Sequence, residues 1–580
     1  MMIKEKLEYQ KYFLLKKENE KKVNFIATMR VIFFLMMIFS FVLKYYYYPR
    51  FFSFVFLFSL LTFVILVIIH DQYFQKYNYY ESYLSILEEY IKREDGTWKV
   101  FEETGEEFEE NAEDYLKDLD IIGKNSLFQY ISVCKTIGGK RTLFQKLSNK
   151  NQEEEKLYEE QNAIAELEKN LHFVMDYQVQ MRRYDKKKVD LTSTFLNLKK
   201  DTVSRSNDFI IALICGILSF VLLGLSLLKV ISIKYFYGLF LFNYLISLMY
   251  SLIYQQDFNK IIHLITTYHQ LSSITSLILK QKFSSKKLKK IQKDMDLTKE
   301  ITKKINILDT LNSMKDNLLF SLIMNGLFCI NLFMRTFFIQ FLKQDFPKLQ
   351  NTIIDIEELE ALISLTGIGI LKEEKCFPVK SNKVEIKFME IKHPLLKEEI
   401  CVDNDFDTKA QVNIITGSNM GGKTSFLRTI GINIVLMNAG TYVCAKSFRA
   451  SYLKIFTSMR VGDDIEKGIS TFYGELLRIK KAMDYLNQGN MLVLIDEIFK
   501  GTNYQDRIYG AKKVIQRLQN QQVITFLTTH DFELCDEKNI TNYHVKEYYE
   551  GDQIQFDYKI RKGKCTSTNA KYLMEKLEII

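Results

Sequence analysis

Proline is scarce, with four residues in 580. Against a composition that is 47% hydrophobic and 14% aromatic, that scarcity excludes a chain dominated by disorder. Paired cysteines are lacking too. Cys134, Cys215, Cys329, Cys376, Cys401, Cys444, Cys535 and Cys565 are scattered without a CxxC spacing, which argues against a metal site or disulfide framework and for a reducing compartment. Strong charge of one sign is absent as well. The 79 basic and 70 acidic residues leave +9, compatible with nucleic acid or anionic lipid and diagnostic of neither. At 580 residues the chain outgrows a single core and divides into several domains.

Long apolar runs are what the sequence does have. Residues 25–43 and 51–69 form the first pair, and the second member carries no charge. Nineteen helical residues reach ~28 Å, close to the ~30 Å of a bilayer's hydrocarbon core. Arg30 lies near the start of the first run, where it can snorkel to the headgroups. Residues 44–50 between the runs are aromatic and basic, as an interfacial turn would be. A second pair covers 209–228 and 236–254. A cleaved signal peptide does not fit the first run, because no small-residue cleavage site follows it and another full span does. Seven lysines in the first 24 residues predict a cytoplasmic N-terminus; two hairpins then leave residues 70–208 and everything after 254 on the same side. A fifth apolar stretch, 318–334, contains Asn325 and Asn331 and ends beside Arg335. A fifth span would carry the rest of the chain across the membrane, so this stretch is expected to be a buried helix of the soluble part.

The C-terminal third carries the chemistry. An apolar run over 412–416 leads into Gly417, Ser418, Asn419, Met420, Gly421, Gly422, Lys423 and Thr424, followed by Ser425. This matches G-x-x-x-x-G-K-[ST] between a strand and a helix, where backbone N–H groups and the helix start can hold phosphate oxygens. Lys423 is predicted to reach the β- and γ-phosphates of ATP, and the Thr424 hydroxyl to ligate Mg²⁺. A second apolar strand over 491–495 ends in Asp496 and Glu497. Asp496 is suited to the Mg²⁺ shell, and Glu497 to orienting and deprotonating a water. A third strand, 523–528, leads to His530, placed at the strand edge where ligands of α/β sheets collect. Ser470 or Thr471, next to Phe472, caps a helix pattern running through Leu486, a start that can bind a γ-phosphate presented by another subunit. An LSGGQ-type signature, as in ABC transporters, is missing from this region.

Together these segments resemble the MutS mismatch-repair ATPases. The resemblance rests on residues 416–424, on Ile469, Ser470, Thr471 and Phe472 with Glu475, on 494–502, and on Thr528 to Asp531. His393, Pro394 and Leu395, with Asp403, Asn404 and Asp405, look like the family's entry into its ATPase domain. Residues 125–144 and 357–365 look like the opening and closing parts of its helical core. With its hairpins the chain looks like a membrane-anchored subgroup. The resemblance implies a homodimer with composite sites, in which Ser470, Thr471 and Phe472 serve the partner's nucleotide, and it implies DNA as a partner. The mismatch-reading domain of soluble relatives, with its Phe-x-Glu wedge, has no counterpart here. Phe101 to Glu103 and Phe108 to Glu110 fit that string by chance, inside an acidic stretch. Ten lysines between 280 and 304 read as a solvated helix face, with anionic lipid headgroups or DNA phosphates as the functional alternatives.

The expected architecture is an α/β P-loop ATPase domain with a parallel sheet, C-terminal to a mainly α-helical core domain, with transmembrane helices. Its divisions are 1–75 (first hairpin), 76–205 (start of the helical core), 206–256 (second hairpin), 257–385 (rest of the core) and 386–580 (ATPase). The expected cofactors are ATP and Mg²⁺. The expected location is a cytoplasmic membrane crossed several times, with the ATPase domain on the cytoplasmic side. The rival function is a nucleotide-driven membrane switch acting on a protein or lipid.

Overall fold

The structure is a computed structural model that describes residues 8–148, 154–182, 208–409, 411–418, 420–460, 471–550 and 553–565. Helix α1 (Tyr9–Leu43) and helix α2 (Pro49–Glu94) pack as an antiparallel hairpin. Pro49 opens α2 in the first turn, where its missing N–H costs no hydrogen bond. Over the apolar stretch both helices point large side chains outward, among them Phe39, Phe54 and Leu61. Further along α2 the pattern changes, and Tyr83, Leu87 and Tyr90 are buried in the main core. One unbroken helix therefore joins the apolar hairpin to the helical body.

That body begins with short helices α3 (Asp114–Asp118) and α4 (Leu127–Ile131), followed by α5 (Ile137–Leu147), α6 (Glu154–Lys169) and α7 (Leu171–Arg182). Ser126 and Thr136 supply the N-caps of α4 and α5 by accepting from Gln129 N–H and Gly139 N–H. Helix α15 (Phe346–Leu371) lies across α5 and α6. Its Glu360 accepts from the backbone N–H of Lys135 at 2.7 Å, and burial pushes that carboxyl up to about 7. Phe108 stacks on Phe144 with centroids 4.7 Å apart, and Phe101 lies under the Arg93 guanidinium. Both Phe-x-Glu strings are thus part of the packing.

The second hairpin is α8 (Asp208–Leu227) with α9 (Ile233–Ile253), continued by α10 (Gln255–Lys280), α11 (Lys286–Asp296) and α12 (Lys299–Asp316). Among the described residues four helices, α1, α2, α8 and α9, are long and apolar enough to cross a membrane. The lysine-rich segment is tied down in part. Lys286 pairs with Glu155 and Glu159, and Lys287 with Glu160 and Glu358, while Leu288, Ile291 and Met295 bury the other face of α11.

The stretch 318–334 departs from expectation. It is two helices, α13 (Leu318–Phe328) and α14 (Ile330–Gln344), bent by 80° at Cys329. Helix α13 packs on α8 and α9 instead of inside the helical body. Asn325 and Asn331 are buried because they bond to Ser247 of α9, which meets the polar demand that had argued against this placement.

The C-terminal part holds two sheets. Strands β1 (Val379–Lys380), β2 (Glu385–Ile391), β3 (Asn404–Lys409) and β5 (Ser447–Ala450) form one, in the order β1-β5-β2-β3. The other contains β4 (Val412–Thr416), β6 (Lys454–Ser458), β7 (Met491–Asp496), β8 (Val523–Thr528), β9 (Ile540–Glu550) and β10 (Gln553–Lys562), in the order β10-β9-β4-β8-β7-β6. Strands β9, β4, β8, β7 and β6 run parallel, and β10 returns antiparallel on β9. The sheet is therefore mixed rather than wholly parallel. Only two residues separate β9 from β10 in sequence, which permits only antiparallel pairing, whereas the parallel neighbours are joined by crossovers. Helices α16 (Lys423–Asn438), α17 (Thr471–Asp484) and α18 (Tyr504–Leu518) belong to this part. Strands β4, β7 and β8 are buried almost throughout, which explains their unbroken apolar sequences.

Candidate nucleotide site

The site lies at the C-terminal ends of β4, β7 and β8. The chain leaves β4 through Gly417 at φ 133° and enters α16 through Gly422 at φ 87°. A Cβ at Gly422 would stand 2.9 Å from the Tyr558 ring, and one at Gly417 would stand 2.4 Å from Val545. Conformation and space both demand glycine there. Lys423 opens α16, and its Nζ donates to the carbonyls of Gly417 and Ser418 at 2.6 and 2.9 Å. Burial lowers its pKa, opposed by the carboxylates of Glu497 and Asp496. Its Nζ is also 3.3 Å from His530 Nε2.

One residue further, Thr424 Oγ1 donates to Asp496 Oδ2 at 2.7 Å, and Thr528 Oγ1 donates to the other oxygen at 2.6 Å. Parallel pairing of β7 with β8 sets Asp496 opposite Thr528, so register alone brings the second hydroxyl to the carboxylate. Glu497 takes φ 58° and donates its N–H to the Thr528 carbonyl at 3.1 Å. Its Oε1 lies 3.2 Å from His530 Nε2, and Lys500 approaches within 3.4 Å. The hydrogen bond to His530, then the charge of Lys500, hold the Glu497 carboxyl down at about 2. Arg507 grips Asp531 with two bonds of 3.0 and 3.1 Å, fixing the loop after His530.

Lys423, Thr424, Asp496, Glu497 and His530 are thus gathered in one place. Ser418 Oγ is buried without a hydrogen-bond partner, and Met420 is 77% exposed. Gly421 stands against Val545, and Ser425 accepts from Thr429 through its carbonyl at 2.7 Å. Asn419, Ser470 and the rest of 461–470 lie outside the described residues; Thr471 begins α17. Phe472 meets Phe499 edge-on at 5.8 Å. Glu475 of α17 takes backbone hydrogen bonds from Phe499 and Lys500, and burial raises its carboxyl. Helix α17 is thereby fastened to the loop that follows the paired carboxylates.

Sequence reading missed a second cluster beside the site. Asp118, fully buried on α3, accepts from Thr457 Oγ1 (2.7 Å), Met459 N (3.2 Å), Arg460 N (3.3 Å) and Arg478 (2.6 Å). Asp120 pairs with Arg428 and Arg460 at 3.2 and 2.6 Å. Arg428 is one turn beyond Thr424 on α16, and Arg478 is on α17. The signal was weak: two aspartates in an acidic stretch, hundreds of residues from their partners.

A hydroxyl and a carboxylate side by side, next to a glycine-bounded loop at a helix start, suit a hard cation that keeps water and phosphate as its remaining ligands. The donors fit Mg²⁺. This is an α/β domain that sets a glycine-rich loop beside a pair of carboxylates at the ends of adjacent strands.

Residues 413–574 match the family model MutS domain V, so this part of the chain is similar to the corresponding domain of the MutS family. It is 31% identical over 247 residues to the DNA mismatch repair protein MutS of Bacillus mycoides (strain KBAB4), covering 40% of this chain and 27% of that protein. The MutS of Geobacillus sp. (strain WCH70) is 29% identical over 251 residues, 41% of this chain and 29% of that protein. That of Aquifex pyrophilus is 28% identical over 232 residues, 38% of this chain and 27% of that protein. The chain spans less than a third of the length of these curated relatives.

Proposed function

We propose that the chain is a membrane-anchored, Mg²⁺-dependent ATPase of the MutS type. In this reading it works as a homodimer, and hydrolysis switches a clamp that holds DNA. The observation that carries the ATPase reading is the convergence of Lys423, Thr424, Asp496, Glu497 and His530 at three adjacent strand ends. Lys423 and the N–H groups of 417–424 bind the phosphates. Thr424 and Asp496 hold Mg²⁺, which when bound neutralises phosphate charge. Glu497, ionised well below neutral pH, takes the proton of the attacking water, and His530 orients that carboxylate. The helix start at Ser470, Thr471 and Phe472 serves the γ-phosphate of the other protomer. The apolar helices α1, α2, α8 and α9 supply the anchor, and the bent pair α13–α14 re-enters on the side it came from, which keeps the nucleotide site cytoplasmic.

A second reading, a nucleotide-driven membrane switch that does not read mismatches, is favoured by the ion pairs of Lys286 and Lys287 and by the packed Phe101 and Phe108. Fluorescence anisotropy separates the two. Detergent-solubilised Glu497→Gln protein is titrated against matched, mismatched and branched DNA, with and without ATP. ATP-modulated binding that weakens with salt is the outcome for a clamp. ATPase activity of the unsubstituted chain without DNA binding at low salt leaves the membrane switch.

A further inference from the structure

The cluster around Asp118 joins the helical body to two elements of the α/β domain. Helix α3 belongs to the body, since Tyr115 and Leu116 are buried in the main core. Its end meets the helix that follows the glycine-rich loop. Leu119, the next residue, packs so closely on α16 that a Cβ at Gly431 would stand 2.5 Å from its side chain. Arg428 of α16 donates to the Asp118 carbonyl at 3.1 Å and pairs with Asp120. The end of α3 is therefore held in register with the helix that starts at Lys423.

The Asp118 carboxylate serves a different element. Its Oδ2 accepts from Arg478 Nη1 (2.6 Å), Thr457 Oγ1 (2.7 Å) and Met459 N (3.2 Å), and its Oδ1 from Arg460 N (3.3 Å). Residues 457–460 lead out of β6, α17 starts at Thr471, and Arg478 stands about two turns along that helix. One carboxylate thus grips the chain before and after 461–470, the segment that ends in Ser470.

The other contacts of α17 do not duplicate this grip. Phe472 and Glu475 fasten the helix to Phe499 and Lys500 of its own protomer's catalytic loop. Lys481 reaches Asp114 of α3 at 2.6 Å, but that pair lies at the surface, where an ion pair contributes about 0–1 kcal/mol. Arg478 and Asp118 are both largely buried, and a charge-assisted bond there fixes geometry more firmly.

We propose that Asp118 is a positioning residue for the helix start at Ser470, Thr471 and Phe472, acting through Arg478 and residues 457–460. This role rests on the reading of the chain as a homodimer with composite sites, so each Asp118 serves the nucleotide bound by the other protomer and not its own. In Asp118→Asn the amide oxygen takes the place of Oδ2, while the charge that fixes Arg478 is lost. The full chain carrying that substitution, in liposomes, is expected to bind ATP as before and to turn over about 10²-fold more slowly. Unchanged turnover, or loss of ATP binding, overturns the role. Mixed dimers decide where the residue acts. Two differently tagged chains are co-expressed and purified over both tags. Asp118→Asn paired with Glu497→Gln has one site that combines an intact Glu497 with an α17 held by an intact Asp118, so turnover returns to about half that of the unsubstituted dimer. Ser470→Ala paired with Glu497→Gln is the reference. Recovery in the reference dimer alone overturns the role of Asp118 and leaves the composite site standing. Recovery in neither overturns the composite site and the role together. Arg478→Gln, in which Asp118 keeps its bonds to 457–460, is the second variant and is expected to follow the same pattern.

Discussion

Glu497 is the residue on which the site's electrical state turns. Its carboxyl is held at about 2 against an ordinary 4.5, first by His530 and then by Lys500. A depressed carboxyl stabilises the fold above its unfolded pKa, and that contribution fades as the pH falls from the unfolded value towards the folded one. The thermal midpoint of Glu497→Gln is therefore expected to lie below that of the unsubstituted chain at pH 6, with the gap closing as the pH falls from about 5 to about 2. A gap independent of pH would show that the carboxylate is not stabilised by its surroundings. Lys423 behaves differently, since burial lowers its pKa and its charge is satisfied by two loop carbonyls. The Lys423 ammonium is thereby positioned by the loop that precedes it.

Among the elements, the loop from β4 to α16 is the least tolerant of change. Gly422→Ala places a Cβ 2.9 Å from the Tyr558 ring at φ 87°, and loss of measurable ATP binding with a folded circular-dichroism spectrum is the expected outcome. Retention of binding would mean that the loop adapts. The junction of α3 with β6, α16 and α17 carries a second prediction. Asp118→Ala leaves Arg478 and two backbone N–H groups near 457–460 without their buried acceptor, a loss of about 3 kcal/mol, readable as a lowered denaturant midpoint. An unchanged midpoint would show that solvent replaces the carboxylate. The loop was legible in the sequence because glycine, lysine and threonine at fixed spacing have few other uses between a strand and a helix. The junction was not, because nothing local marks Asp118 as the partner of Arg478. The bend at Cys329 was hidden for a related reason. Asn325 and Asn331 read as costly against lipid, and only their bonds to Ser247 and to each other show where their polarity goes.

At the scale of the whole molecule, two apolar hairpins sit on a helical body that continues into the α/β domain. Helix α2 passes from apolar exposure to core burial without a break, so the first hairpin and the helical body are mechanically one piece. The mixed sheet shows how local patterns fall short at this scale. Apolar strand runs predicted β4, β7 and β8, but the antiparallel return of β10 on β9 depends on pairing that no single segment specifies. The proposed function places ATP chemistry at 417–424 and 496–497 in a chain that stays with the membrane. The most direct measurement is Mg²⁺-dependent ATP hydrolysis by carbonate-washed, reconstituted protein, alongside Glu497→Gln. Turnover by the unsubstituted chain and a fall of about 10²–10⁴-fold in the variant are expected, with ATP binding retained. Equal turnover in both, or activity only in the carbonate-soluble fraction, would contradict the proposed function.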